Sequence, residues 1–168
     1  LMERAKNATI ITSPNGQKGL LAHYKNKDWN FRVVKSCETI NIGRKNITFI
    51  HTPMVHWPDN MMSYLAEDNI LFSNDAFGQH IASFERFDDE CIQGIVVEEA
   101  KKYYANIVLP YSGLVQKALD SASPYAIDMI APSHGVIWRS YVKNILEEYK
   151  KWAANQVGKK GLIIYDTM

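Results

Sequence analysis

The apolar run "YAIDMIAPS" stands between two helical patterns, and this one strand among helices constrains the fold more than any other feature. Before it, "YSGLVQKALDSA" sets Leu114, Val115, Ala118 and Leu119 in one helical stripe. After it, "RSYVKNILEEYKKWAANQ" puts Tyr141, Val142, Ile145, Leu146, Tyr149 and Trp152 on one face, with Gly158 as the expected stop. "VVEEAKKYYANIV" is a third helical segment. Strands dominate the first half of the chain. "ETINIGRKNITFIHT" reads as a hairpin, with Ile40 and Ile42 alternating before Gly43, and Ile47 and Phe49 after it. "NILFSND" is a short apolar strand. "NATIITSPNGQKGLLAHY" reads as two short strands around a Ser-Pro-Asn-Gly reversal. Mixed sheets covered by helices, an α/β or α+β sandwich, accommodate this order.

A chain of 168 residues supports one domain with a real core and is too short for two of ordinary size. With 46% hydrophobic residues, 22% charged and a net charge of +1, nothing points to nucleic acid or an anionic membrane as partner. No apolar run approaches a membrane span and no signal-peptide pattern opens the chain, so a cytoplasmic protein is expected. Cys37 and Cys91 lie far apart without a CxxC pair, which predicts two buried or half-buried thiols in a reducing compartment. The opening on Leu1 and the close on the strand-like "GLIIYDTM" read as a fragment cut at both ends.

Three strand ends share one design. "ITFIHTPMVHWPDN" offers His51 and His56 around Pro53, "NILFSNDAFG" offers Asp75 shortly before Gly78, and "IDMIAPSHG" offers His134. In each, a strand delivers a metal-capable side chain to a loop that glycine or proline bends, as ligand sites in sheet folds require. Two imidazoles and a carboxylate suit zinc or iron, and a carboxylate can bridge two ions. Each residue also has a plainer role, since a lone His or Asp after a strand commonly closes a turn or caps backbone N–H groups. His23 is expected at the surface. His51, on the strand face opposite Ile50, is expected to be packed or hydrogen-bonded. His80 either orients Asp75 from behind the ligands or faces solvent. Neither a Gly-x-Ser-x-Gly elbow nor a Gly-rich phosphate loop is present.

The blocks "HWPDNMMSYL", "ILFSNDAFGQH", "KYYANIVLPYSGLVQKAL", "APSHGVIWR" and "WAANQVGKKGLIIYDTM" resemble, in order, the flavodiiron proteins of the metallo-β-lactamase superfamily. The resemblance covers most of the chain from about His51 and is loose before residue 40. It implies an αββα sandwich, present in part over residues 1–158. It also implies a linker and the first strand of a flavodoxin-like domain over residues 159–168. Carried over, it makes His56 a terminal ligand of one iron, Asp75 the carboxylate bridging two irons, and His134 a terminal ligand of the second. The family's upstream His-x-Glu-x-Asp-His motif begins at none of His23, His51, His56, His80 or His134.

For a complete protein the resemblance implies reduction of O2 to water, of nitric oxide to nitrous oxide, or both. The centre would be a non-haem diiron site fed by FMN whose binding site lies beyond Met168. It further implies a redox partner such as rubredoxin or a flavin reductase, and a head-to-tail homodimer. For this chain alone it implies weak metal binding and no turnover. Two alternatives stay open: a zinc-dependent hydrolase of the same superfamily, thioesterase-like, and a non-catalytic domain that lost its metal site.

Overall fold

The structure, a computed structural model, describes residue 2 and residues 4–25 and 28–156. The first elements are β1 (Thr9–Thr12), α1 (Pro14–Tyr24) and β2 (Asn30–Val33), with β1 and β2 paired in parallel. Next come β3 (Glu38–Asn41), β4 (Asn46–His51), β5 (Met61–Leu65) and β6 (Ile70–Asn74), an antiparallel meander. Residues 75–128 carry α2 (Gln93–Tyr103), a π turn over Tyr104–Val108 and α3 (Ser112–Ala122). The chain then returns as β7 (Met129–Pro132), parallel to β6, and ends its described part with α4 (Val142–Ala153). Strand order in the larger sheet is β3-β4-β5-β6-β7. Parallel neighbours need a long crossover, and the α2–α3 excursion supplies it.

Alternation along the strands sorts side chains to two faces. Ile50, Met62, Tyr64, Leu71 and Ile130 join Val96, Val115, Ile145 and Tyr149 in the main core. The other parity sends Phe49 and Met61, with Ile40 and Ile47, into a smaller cluster shared with Ile11 and Val34 from the β1–β2 side. Two sheets with helices over the larger one make the partial αββα, metallo-β-lactamase-like sandwich that the resemblance implied.

The hairpin, the strands at "NILFSND" and "YAIDMIAPS", and the three helices form where expected. Four points differ. In "NATIITSPNGQKGLLAHY" only the first strand forms, because Pro14 begins a helix. The Ser13 hydroxyl accepts the Gly16 N–H at 3.1 Å, and a proline in the first turn has no needed N–H to lose. The patterning predicts neither β2 nor β5 as a strand; β5 is held between β4 and β6 by pairing that a short polar-flanked run does not announce. α4 ends at Ala153, followed by Asn155 in the left-handed region, earlier than the expected stop at Gly158. Cys37 is exposed, in the turn between β2 and β3 at φ 63°; Cys91 is half-buried as expected, and both are free. Gly158 and the expected linker and strand at 159–168 lie outside the described residues. Among the described residues no helix is long and apolar enough to cross a membrane.

Candidate metal centre

Because β4 and β6 are both antiparallel to β5, and β7 is parallel to β6, the C-terminal ends of β4, β6 and β7 open onto one rim of the sheet. Strand direction therefore delivers three distant sequence segments to the same place. His56 rides the loop of residues 52–60, a compact turn in which Val55 N–H donates to Thr52 O at 3.1 Å and Met54 N–H to Trp57 O at 2.7 Å. The start of α1 holds this loop from outside. Ser13 Oγ donates to Asp59 O at 3.3 Å, and Asn15 Nδ2 to Pro58 O at 3.0 Å.

Asp75 follows Asn74, whose φ of 57° turns the chain off β6. His134 follows β7 and precedes Gly135, at φ 83°, where an added Cβ would overlap the Gln79 side-chain oxygen. Only glycine fits there. Gln79 is fully buried: its Oε1 accepts the Val136 N–H at 2.7 Å, its Nε2 donates to Phe77 O at 2.8 Å, and its own N–H donates to His134 O at 3.2 Å. One glutamine thus ties the loop after Asp75 to the loop after His134.

The three side chains converge. His56 Nε2 lies 3.3 Å from Asp75 Oδ2, and His134 Nε2 lies 3.5 Å from Asp75 Oδ1. Two donors about 2.1 Å from one ion at a tetrahedral angle are about 3.4 Å apart, so each imidazole–oxygen pair has the spacing of ligands on a common ion. The imidazoles use different oxygens of the carboxylate. No three His, Cys, Asp or Glu side chains surround a single ion position among the described residues. Two carboxylate oxygens, each facing its own imidazole, have the donor types and spacing for a carboxylate shared between two ions. The Asp75 side chain is 13% exposed, against 25% for His56 and 48% for His134, so the shared group is the most enclosed.

The remaining histidines fall elsewhere. His23 is exposed, as expected, against Tyr24. His51 is half-buried and its Nε2 is packed without a hydrogen-bond partner. His80 is exposed, and its ring contacts are edge-on to Tyr103 at 4.8 Å and to His134 at 5.5 Å.

Nothing in the sequence around Tyr103 marks it as part of the site. It is 3% exposed, sits at the end of α2, and its ring lies 5.9 Å from that of His134. Burial first, and the Asp75 carboxylate second, push its phenol up to about 12. Its neighbour Tyr104 turns away, pairing with Ser112 Oγ at 2.9 Å. Nothing in "KKYYANIV" separates the two tyrosines; only the π turn that follows α2 and the packing around it do.

Over residues 1–135 the chain matches the model of the family described as ODP family beta lactamase. The chain belongs to this family. As an ODP-family domain it is 45% identical over 170 residues to the nitric oxide reductase of Moorella thermoacetica, covering 100% of this chain and 43% of that relative. Among solved structures it superposes on the flavodiiron protein from Giardia intestinalis with a TM-score of 0.87 at 38% identity, covering 90% of this chain and 37% of that one. It superposes equally on rubredoxin oxygen:oxidoreductase from Desulfovibrio gigas, TM-score 0.87 at 39% identity, over 91% of this chain and 39% of that one. The ODP-family chain is a flavodiiron-type, metallo-β-lactamase-like domain that spans about two fifths of the length of the curated relatives it matches.

Proposed function

We propose that this domain forms part of a flavodiiron oxidoreductase that reduces O2 to water, nitric oxide to nitrous oxide, or both. The observation that carries the reading is one enclosed carboxylate with an imidazole Nε2 at each of its oxygens, at 3.3 and 3.5 Å. The names of the relatives, a nitric oxide reductase and a rubredoxin oxygen:oxidoreductase, support the reaction class. In this reading the domain occupies residues 1–158 of the chain, and residues 159–168 lead into an FMN-binding unit. The complete enzyme is a cytoplasmic head-to-tail homodimer served by rubredoxin or a flavin reductase.

His56 and His134 would each hold an iron, and Asp75, with one oxygen toward each imidazole, would be the ligand shared between them. Bound there and resupplied by FMN, the irons would supply the electrons and the Lewis acidity that the reduction needs. Tyr103, buried at the end of α2 with its ring 5.9 Å from that of His134, would pack against that ligand. His80, edge-on to His134, limits the rotation of that imidazole. The other iron ligands are not among this chain's histidine motifs, so this chain alone should take up iron weakly and turn over nothing.

Metal analysis and gas-consumption assays on the complete enzyme test this. Expected are iron in preference to zinc, and O2 or NO consumption that Asp75→Ala abolishes. Stoichiometric zinc with no such consumption would overturn the reading in favour of a hydrolase. Sustained O2 consumption by this chain alone, lost in Asp75→Ala, would overturn its inactivity.

A further inference from the structure

Each of the three side chains at the rim is preceded by a residue that belongs to one continuous hydrogen-bond relay. Ser133, before His134, donates its hydroxyl to Asn74 Oδ1 at 2.9 Å. Asn74, before Asp75, donates its amide to Asn60 Oδ1. Asn60 donates to the carbonyl of Val55, which precedes His56, and to Thr52 Oγ1 at 2.8 Å. Backbone bonds run alongside: Ser133 N–H to Asn74 O at 2.7 Å, and Thr52 N–H to Asn60 O at 3.1 Å. The side-chain donors all point one way, from the β7 end through the β6 end to the β4 loop. Asn60 spends both amide hydrogens and its oxygen on this relay and is 3% exposed.

We propose that Asn60 and Asn74, with Ser133 at the open end, are the positioning residues of the centre, locking the three strand ends in the register that fixes both imidazole–carboxylate spacings. The inference rests on the metal-site reading above. Val55, Ala76, Phe77 and Val136 anchor these loops in the core, but apolar contact is non-directional and does not by itself hold the three strand ends to a fraction of an ångström. Because Asn60 has both amide hydrogens and its oxygen engaged, the relay removes that freedom: a shift at one end leaves this buried amide without a partner. Asparagine also suits the left-handed φ of 57° at position 74, which few other side chains tolerate.

The test uses the complete enzyme, with ferrous iron affinity read by chelator competition, cobalt(II) as a visible-spectrum probe of coordination, and the melting temperature of the metal-free form. Asn74→Gly removes the amide and keeps the backbone conformation. It should weaken ferrous iron about tenfold or more and shift the cobalt(II) bands, with the metal-free melting temperature changing little. Asn74→Asp, which cannot donate to Asn60, should do the same and serves if the glycine variant fails to fold. Ser133→Ala should cost less, and Ser133→Thr, which keeps the hydroxyl, should restore wild-type affinity. Wild-type affinity and cobalt(II) bands in folded Asn74→Gly or Asn74→Asp would overturn the positioning role, as would a loss of melting temperature alone. Asp75→Ala separates the two claims. If it leaves iron binding intact, the metal-site reading itself fails; if it abolishes binding while the relay variants bind normally, only the positioning inference fails.

Discussion

On the helix-covered face of the sheet, Leu71, Ile130, Ile145 and Tyr149 are fully buried and locked by apolar and aromatic neighbours. At the rim, Asp75, His56 and His134 keep partial exposure and are held by polar groups of the loops around them. The first region is stabilised by removing area from water, which is additive and forgiving in direction. The second depends on directional bonds, in which a small displacement forfeits the interaction. The molecule separates the two: stability comes mainly from the core, and geometry is defined at the rim.

That separation can be broken most severely from the core side. Ile145→Ala, at 1% exposure on α4, should cost about 2–5 kcal/mol in urea titrations, while the folded fraction keeps its iron affinity. If affinity fell in proportion, the two regions would not be independent. From the rim side, Asp75→Ala in the complete enzyme should lower iron affinity by more than about 100-fold, beyond the usual effect of removing a mere supporting contact, and leave metal-free stability nearly unchanged.

An intermediate case sharpens the comparison, because it is a polar device used for the fold. Asp88 is fully buried, and its carboxylate accepts the N–H groups of Arg139 at 2.9 Å, Ser140 at 3.2 Å and Tyr141 at 2.7 Å at the entry to α4. Asp88→Asn points a donor at donors and should cost about 2 kcal/mol of stability, measured by denaturant titration, without moving iron affinity.

The smallest effect concerns pH. Burial, only partly offset by the Phe77 N–H that donates to its oxygen at 2.7 Å, holds the Tyr149 phenol well above the usual tyrosine range. A folded-state value raised above the unfolded one means the unfolded chain loses its proton first. Stability is therefore complete below the unfolded value of about 10 and falls as pH rises beyond it. Urea midpoints should be flat from neutral pH to about 9 and decline above about 10. Tyr149→Phe should lessen that decline, while costing about 1–3 kcal/mol at neutral pH for the Phe77 N–H left unpaired.

How much of this was legible in the chain depends on how local each feature is. The Ile40–Gly43–Phe49 hairpin and the apolar face from Val142 to Trp152 are carried by spacing within a few residues, and both form. The "TSPNG" stretch failed because serine and proline serve turns and helix starts alike; the next turn of backbone decided for the helix. Tyr103 and Asn60 looked like ordinary members of a helix and a loop, since nothing in their own segments says what lies across from them.

The sequence by itself determined that His56, Asp75 and His134 each follow a strand, with bends after them, because strand periodicity and turn chemistry are local. Only the tertiary structure decided that these three ends share a rim, through the directions in which β4, β6 and β7 pair. It also decided that two imidazoles take opposite oxygens of one carboxylate, and that Asn60, Asn74 and Ser133 join behind them. Pairing direction and hydrogen-bond closure link residues far apart in the chain, and no window of sequence contains both partners.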